Sequence, residues 1–589
     1  MTPLAGLSGP GSFQRKHVVH FRTSALLCLL WAGISLPAAA QDAGSLLREQ
    51  QRREDAQRLD RLPSADDTTP REKRVAAPRQ GQTIVVQKLI FSGRTEILPE
   101  AERTRIAASV QGQRLDIAGI KAIADTVTMA AQKEGRVLAF AILPPQDITE
   151  GVLRVEIREG RLSETTFERS GDVRIRQGRL ERIVADLPVE GVEKKDLEAV
   201  LLRMNDLPGV TARARLVAGN APQTSRLIIG VEQTPLLSAS LWGDNAGSPS
   251  TGKAEANGQV VMTDLSGYGD VTRFTTTLSE GQKFGQAAFS IPLGISPLSL
   301  NANYGFLDYR NIDAVGSALG LEGLAHYAGV GLDYSLVRSR DVNVRLTAGL
   351  DWKALIDDSL VGRLQDKRVI SGTLGIGGDL RDDLLGGGLT NWSLGWTFGD
   401  LDLSRVPGAL AADTASLRTQ GVFHTLNGQV ARLQALPGDF SLFGRVTGQW
   451  ASKNLDSSQD FSLGGPYGVR GYPVGEGRGD MGVLGTLELR YDVPADMWGA
   501  LQVASFLDAG YVRVNRRSNG IATASACGCN DYGLASAGIS ARWSRENLSF
   551  SAAWAHALGS NPGRDRLTDE NADGSTRRNQ FWLQAAVKF

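Results

Sequence analysis

The chain has 589 residues, a formal net charge of zero, 68 glycines, five histidines and three cysteines. This length is too great for one compact core, so two or more structural units are expected. The balanced charge gives no reason to expect a nucleic-acid partner. So few histidines and cysteines argue against a metalloenzyme or a disulfide-rich scaffold, and the abundant glycine suits a β-rich exported protein.

Residues 1–40 have the pattern of a secretory signal peptide. Three basic residues between positions 15 and 22 precede an apolar stretch at 24–36, and three alanines follow at 38–40. Cleavage is therefore predicted before Gln41. A membrane anchor is the alternative, but the apolar stretch is shorter than the ~20 residues with which a helix crosses a bilayer. No later segment resembles a membrane helix, so a role in a membrane would require a closed barrel.

Residues 41–62 are charged and rich in helix-forming side chains. We predict a short, mostly polar helix, which requires wet surroundings because no side of it is strongly apolar. A disordered N-terminus of the mature chain is the alternative. Residues 63–82 contain three prolines among charged residues and are interpreted as a linker.

Residues 83–159 and 160–234 predict two small α+β modules. In the first, a strand at 83–91 is followed by helices at 99–110 and 117–133 and by strands at 138–142 and 152–157. In the second, a strand at 162–167 is followed by helices at 174–187 and 194–204 and by strands at 210–216 and 225–231. Two modules of similar size and order indicate a repeated unit.

From residue 235 onward the chain consists of short alternating segments separated by turn residues. The last segment is the clearest, with Phe581, Leu583, Ala585, Val587 and Phe589 on one face and Trp582, Gln584, Ala586 and Lys588 on the other. This alternation is typical of a transmembrane β-strand. At about 22 residues for a strand and its connection, the region 235–589 allows about sixteen antiparallel strands, enough to enclose a lumen.

Reactive sites are not indicated. His326, His424 and His556 are far apart in strand-like segments, and no cofactor, metal or catalytic site is predicted. Cys527 and Cys529 could pair in an oxidising compartment or bind a metal, although the ring that they would form is short.

Two motifs carry a family resemblance. Residues 461–465 (FSLGG), 469–472 (VRGY) and 479–480 (GD) form the first, and residues 506–510 (FLDAG) form a Phe-x-Asp-x-Gly motif. Together they resemble the lid loop and the facing barrel strand of two-partner secretion outer-membrane transporters, the TpsB proteins of the ShlB/FhaC/HecB family. Residues 144–160 and 201–209 look like parts of the two POTRA domains of that family.

The resemblance implies a fold that agrees with the segment order. It consists of a signal peptide (1–40), an N-terminal plug helix (41–62), a linker (63–82), two POTRA domains (83–159 and 160–234) and a transmembrane antiparallel β-barrel of about 16 strands (235–589). The barrel would lie in the bacterial outer membrane, with the POTRA domains in the periplasm.

The implied function is transport without catalysis. The POTRA domains would bind a large secreted partner protein, such as an adhesin, a haemolysin or a contact-dependent toxin, which would cross the lumen unfolded. Outer-membrane lipid and the barrel-assembly machinery are the other expected partners, and the barrel is expected to function as a monomer. The alternatives are an assembly factor for other barrels, which typically carries more POTRA domains, and a diffusion porin, which would lack POTRA domains and the lid motif.

The resemblance also assigns site residues. The lid-loop motif is Val469, Arg470, Gly471 and Tyr472, and its partner motif on the barrel wall is Phe506, Asp508 and Gly510. If Asp508 points into the lumen, the period of two directs Phe506 and Gly510 inward as well, and a loop folded back into the pore would bring Arg470 to Asp508. A purely structural contact is the alternative. Phe589 is expected to act as a C-terminal assembly signal facing lipid.

Overall fold

The computed structural model describes residues 41–59, 83–148, 150–294, 297–496, 498–518 and 527–589. The predicted signal peptide and the predicted linker lie outside the described residues. Within these ranges, no helix combines the length and the apolarity that crossing a bilayer would require.

The helices are α1 (Ala43–Leu59), α2 (Glu100–Val110), α3 (Ile117–Lys133), α4 (Gln177–Val184), α5 (Lys194–Asn205), α6 (Ala314–Leu319) and α7 (Pro407–Ala415). The strands that precede the barrel are β1 (Ile84–Val85), β2 (Lys88–Gly93), β3 (Arg114–Leu115), β4 (Ala139–Ile142), β5 (Val152–Glu159), β6 (Arg161–Ser170), β7 (Val210–Ala218) and β8 (Thr224–Gln233).

Module 1 (residues 83–159) is a three-stranded sheet of order β2-β5-β4 with α2 and α3 packed against it. Helix α3 has the predicted bounds because Asp116 caps its start, accepting a hydrogen bond from the Gly119 N–H at 2.7 Å. The predicted strand at 83–91 is instead divided. Strand β1 pairs with β3 and β2 pairs with β5, and the Gln87 N–H between them donates to the Gly151 carbonyl.

Module 2 (residues 160–234) has the sheet order β6-β8-β7 and repeats the β-α-α-β-β succession of the longer elements of module 1. Helix α4 begins at Gln177, later than predicted, because the preceding backbone is used elsewhere. The Arg174 N–H donates to the Gln233 side chain, and the Arg176 N–H donates to the carbonyl of Gly267 in the barrel. These hydrogen bonds hold the segment before α4 in an extended conformation, so it does not form a first helical turn.

Sixteen antiparallel strands form a closed barrel, which confirms the predicted architecture. They are β9 (Leu237–Asp244), β10 (Glu255–Thr263), β11 (Val271–Leu278), β12 (Gln282–Pro292), β13 (Leu298–Arg310), β14 (Glu322–Arg338), β15 (Val342–Ser359), β16 (Gly362–Asp382), β17 (Gly388–Asp402), β18 (Gly421–Ala435), β19 (Phe440–Ala451), β22 (Met481–Asp496), β23 (Gly499–Arg513), β24 (Asp531–Arg545), β25 (Leu548–Leu558) and β26 (Asn579–Lys588). Strand β26 closes the sheet by pairing with β9 from Gln584↔Asp244 to Lys588↔Ser240.

The alternation along each strand separates an apolar outside from a polar lumen. In β22, Leu487 and Leu489 are exposed on the outer face, whereas Thr486, Glu488 and Arg490 are buried inside. Open sheet edges cannot lie in hydrocarbon, so closure and an apolar outer face are both needed for a spanning sheet.

Module 2 is attached to the rim from which β9 starts. Arg338 in β14 binds the Asp206 carboxylate with donor–acceptor distances between 2.7 and 3.0 Å. Arg340, in the turn that follows β14, lies 3.3 Å from Glu198 of α5. We call this edge of the barrel the inner rim and the opposite edge the outer rim.

Helix α1 lies inside the lumen. Its first turns present Ala43, Leu46 and Leu47 to a cluster of inward side chains on β12 to β15: Phe284, Leu307, Tyr309, Ala325, Tyr327 and Leu355. The remaining surface is polar, and the Arg48 side chain donates to Gln449 at 3.3 Å. The expectation of a helix without an apolar side is therefore wrong for its first turns, because three apolar residues there meet an aromatic part of the wall.

Phe589 extends the closing pair of strands. Its backbone N–H donates to the Ala239 carbonyl at 2.8 Å, and the Ala239 N–H donates back at 3.2 Å. Its side chain is 69% exposed on the outer surface. Its role as an assembly signal stays a prediction.

Deleting Phe589 should lower the amount of barrel in the outer membrane several-fold, because both the backbone pair with Ala239 and an aromatic group at the membrane interface are lost. The measurement is the level of heat-modifiable barrel in isolated membranes. Phe589→Ala, which keeps the backbone pair, should give an intermediate level. Normal levels for both variants would contradict the assignment.

Candidate functional site in the barrel lumen

The connection between β19 and β22, residues 452–480, folds back into the lumen from the outer rim. We call it the lid loop. Two short strands within it, β20 (Phe461–Ser462) and β21 (Arg478–Gly479), pair with each other and give it a fixed shape. Its apolar residues Leu463, Val469 and Tyr472 are buried against inward side chains of the wall, which are Leu484, Val512, Tyr532, Leu534 and Ala557.

Arg470 and Asp508, both singled out in the sequence, are in direct contact. The Arg470 Nε donates to Asp508 Oδ2 at 2.9 Å, and Nη2 donates to Oδ1 at 2.9 Å. The backbone N–H of Arg470 also donates to Oδ2 at 3.1 Å. This two-bond geometry between a planar guanidinium and a carboxylate fixes direction as well as distance.

The Asp508 carboxylate, 1% exposed, accepts two further hydrogen bonds from wall hydroxyls. Thr486 Oγ1 donates at 3.1 Å and Ser536 Oγ at 3.3 Å. A buried carboxylate is costly unless it is paired and hydrogen-bonded. The wall thus provides a buried, hydrogen-bonded carboxylate, and the lid loop places the guanidinium of Arg470 against it.

Two charged residues that the sequence did not assign to the site complete it. The Arg470 Nη1 donates to Glu488 Oε1 at 2.7 Å, and the Arg490 Nε donates to Glu488 Oε2 at 2.8 Å. The alternation along β22 puts Glu488 and Arg490 on the same, inward face, and this alternation is the signal that the sequence offered for them. The cluster holds two cations and two anions, so its formal charge is balanced.

The surroundings favour the charged form of Arg470. Burial by itself would lower the pKa of Arg470, but the hydrogen bonds and charges of Asp508 and Glu488 outweigh burial and raise the pKa. The guanidinium carbon also lies 3.4 Å from the ring centroid of Phe506, a cation–π arrangement. Phe506 therefore contributes to the site through its ring face.

Close backbone approach explains Gly471. A Cβ at this position would lie 2.6 Å from the Ser536 Cβ and 2.9 Å from the backbone nitrogen of Ala557. Gly510 is similarly covered by the Leu463 side chain.

Trp582, on the inward face of the last strand, donates its indole N–H to the Arg470 carbonyl at 2.8 Å. It is a further contact that the sequence reasoning missed.

A second ionic contact joins the start of helix α1, the lid loop and the wall. The Lys367 Nζ, on β16 and almost fully buried, lies 2.8 Å from Asp42 Oδ2 and 2.8 Å from Asp456 Oδ2. Asp42 directly precedes α1, and Asp456 belongs to the lid loop. The Arg52 Nη1 of α1 also donates to the Gly464 carbonyl at 3.1 Å. We call Lys367, Asp42 and Asp456 the plug latch.

The contacts of the lid loop and the plug latch hold two elements inside a lumen. Across the described ranges, no group of three or more His, Cys, Asp or Glu side chains is arranged to hold a metal ion. His326, His424 and His556 lie in three different strands, and Cys527 and Cys529 form a disulfide.

The comparisons with known proteins agree on one family. The family model described as haemolysin secretion/activation protein ShlB/FhaC/HecB matches residues 223–541. The model described as POTRA domain, ShlB-type, matches residues 84–160, which is module 1.

Individual relatives extend the match. The heme/hemopexin transporter protein HuxB of Haemophilus influenzae (strain 86-028NP) is 26% identical over 494 residues, covering 83% of this chain and 84% of the relative. The outer membrane transporter CdiB of Escherichia coli is 27% identical over 359 residues, covering 57% of this chain and 59% of the relative.

Solved structures show the same fold. CdiB from Escherichia coli has a TM-score of 0.63 at 21% identity and covers 93% of this chain and 99% of that chain. BamA from Haemophilus ducreyi lacking POTRA domains 1–3 has a TM-score of 0.54 at 14% identity and covers 86% of this chain and 100% of that chain. Because the family model spans more than half of the sequence, the chain belongs to the haemolysin secretion/activation family ShlB/FhaC/HecB, whose members place the barrel in the outer membrane and the POTRA domains in the periplasm.

Proposed function

We propose that this protein is the transporter of a two-partner secretion pair, which exports one large partner protein, unfolded, through its barrel to the cell surface. The observation that carries the proposal is a lumen occupied by two separate polypeptide elements, α1 and the lid loop, each held by ion pairs. Passage of a chain past α1 and the lid loop would require these contacts to be exchanged for others. This arrangement suits passage of a specific chain better than diffusion of small solutes.

The partner is recognised in the periplasm by modules 1 and 2. Each module has a three-stranded sheet whose outer strands are sheet edges, β2 and β4 in module 1 and β6 and β7 in module 2. An extended segment of an unfolded partner can add to such an edge through main-chain hydrogen bonds. Because module 2 is bound to the inner rim, a captured segment would start beside the lumen entrance.

The remaining assignments complete the proposal. Residues 1–40 direct the chain to the secretion pathway and are removed, and the barrel-assembly machinery inserts the mature chain. The exposed leucines and aromatic side chains of the outer face contact lipid, and one barrel forms one pore. No nucleotide-binding motif occurs in the sequence, so folding of the emerging partner outside the cell would supply the driving force without catalysis.

The proposal predicts that a large exported protein is encoded beside this gene, and it is tested with that protein. Loss of this transporter should leave that protein in the periplasm, and residues 81–234 expressed alone should bind its N-terminal region. Binding is measured by isothermal calorimetry, with the C-terminal region of the same exported protein as the control. Normal secretion without the transporter would overturn the proposal. Binding of neither region would overturn only the role given to the modules.

Arg470→Ala should reduce secretion about tenfold or more while the barrel remains inserted. Leaving a buried charge unpaired costs about 3–5 kcal/mol, and about 1.4 kcal/mol already corresponds to a factor of ten. Asp508→Ala should cost less, because Arg470 keeps Glu488. The double variant should resemble Arg470→Ala, since the members of one network are not additive. Arg470→Lys should restore little, because an ammonium lacks the fork geometry.

The measurement is secreted partner per folded barrel across this double-mutant cycle. Arg513→Ala provides a matched control, because Arg513 forms an exposed pair with Asp531 near the outer rim, where ion pairs contribute little. If the losses of the two single variants simply add, Arg470 and Asp508 do not act as a pair and the proposed role of the lid contact is wrong.

Lys367→Gln should raise the time-averaged conductance of single purified barrels several-fold. The substitution leaves the carboxylates of Asp42 and Asp456 facing each other without a cation, so the channel should spend more time open. Deleting residues 41–62 should raise conductance at least as much, with secretion largely retained. Arg363→Gln, at an exposed position of the same strand, is the control and should leave the traces unchanged. Closed traces for both the deletion and Lys367→Gln would contradict the plug assignment.

A further inference from the structure

A short disulfide lies in the connection between β23 and β24, at the outer rim. Cys527 and Cys529 are bonded to each other across a single glycine. Because a disulfide stabilises a fold by restricting the unfolded chain, and the effect grows with the length of the loop that it closes, a ring of three residues contributes little in this way. A purely stabilising role therefore explains this pair poorly.

The local geometry is specific to the pair. Gly528 has a φ of +63°, a left-handed conformation that glycine adopts without strain. A Cβ at this position would lie 2.8 Å from Nη1 of Arg566, so the guanidinium covers the glycine directly. The left-handed turn therefore favours glycine between the two cysteines, and the Arg566 side chain packs over it.

The two sulfurs are not equivalent. The backbone N–H of Cys529 donates to the Cys527 Sγ at 3.2 Å, a contact that stabilises negative charge on Cys527. The Cys529 Sγ lies 3.5 Å from the carbonyl of Pro562, in a contact at the exposed surface. Gly528, Pro562 and Arg566 are all exposed. Both cysteines are themselves half-buried, and the Cys529 contact is the more exposed of the two. An incoming nucleophile therefore reaches Cys529 first, while Cys527 is the better leaving group.

We propose that Cys527 and Cys529 form a thiol–disulfide exchange site at the cell surface, whose substrate is a thiol of a small molecule or of an unfolded protein chain. Such a function is independent of the transport of the partner. Disulfides that thiols can reach are the ones that thiols reduce readily, and this pair is half-buried with one side at the surface. A neighbouring cation stabilises the thiolate that the reaction releases. Arg566, whose guanidinium lies over Gly528 between the two cysteines, is the candidate for that cation.

The reaction balances without a further cofactor. A thiolate of the substrate attacks Cys529 Sγ, forming a mixed disulfide, and the electron pair of the broken bond leaves on Cys527 Sγ as a thiolate. A second substrate thiolate then attacks the substrate sulfur of the mixed disulfide and expels Cys529 as a thiolate. Two substrate thiols are thereby oxidised to a disulfide, the cysteine pair is reduced, and the protons of the two substrate thiols end on the two cysteines.

The test uses the full-length barrel in intact cells. Cells are treated with glutathione or with a reduced, unfolded two-cysteine peptide and then labelled with a membrane-impermeant maleimide, and the labels are located by mass spectrometry of the peptide that carries residues 527–529. We expect both cysteines to be labelled after either treatment while the barrel stays heat-modifiable. Labelling after glutathione alone would assign a small-molecule substrate, and labelling after the peptide alone would assign a protein substrate. Labelling only after the barrel is denatured would overturn the proposal.

Single variants test the assigned roles. Cys527 in the Cys529→Ser variant should be alkylated by iodoacetamide several-fold faster at neutral pH than Cys529 in the Cys527→Ser variant, since only Cys527 accepts the backbone N–H. Arg566→Gln should slow reduction of the disulfide several-fold, whereas Arg577→Gln in the same connection should not. Equal alkylation rates together with an unchanged reduction rate for Arg566→Gln would show an inert disulfide and overturn the proposal.

Discussion

The hydrocarbon of a membrane leaves no partner for an unpaired backbone N–H or carbonyl, and this constraint shapes the rest of the molecule. It requires the sheet to close on itself, and sixteen strands in a closed sheet enclose a lumen. A lumen enclosed by sixteen strands would let small solutes pass if it were empty. The space that closure creates is accordingly occupied by α1 and by the lid loop, which are the elements that the proposed transport must displace.

Ion pairs are well suited to a seal that has to open. An apolar seal would gain free energy in proportion to the area that it buries, and opening the seal would expose that area to water. A buried ion pair is different, because the cost of desolvating both charges offsets most of their attraction. The cluster of Arg470, Asp508, Glu488 and Arg490 is therefore directional and specific while contributing only a small net free energy. The apolar contacts of Leu463, Val469 and Tyr472 supply the remaining stability of the closed loop.

Much of the fold follows from local patterns. The bounds of α3 were predicted from the periodicity of its apolar residues, and the inward positions of Phe506 and Asp508 follow from the period of two once one of them faces the lumen. The start of α4 was predicted too early, since the residue before the helix binds a barrel turn that is distant in sequence. The contact between Arg470 and Asp508 was predicted from the family resemblance and not from a local pattern. Glu488 and Lys367 were not assigned to the site from the sequence. Alternation tells which face of the sheet a residue occupies, but neither its height in the barrel nor which loop enters the lumen at that height.

The pairing of β26 with β9 also constrains the order in which the molecule can be built. It joins the last strand to the first barrel strand through only five residue pairs and the Phe589–Ala239 contact, whereas the neighbouring pair of β25 and β26 has nine. The partners in this pair are more than three hundred residues apart, so the two edges cannot meet until the final strand has been synthesised. Until then, the growing sheet has two open edges, both able to pair with other extended chains. A late, long-range closure of this kind makes the unfinished barrel dependent on protection from aggregation during its biogenesis.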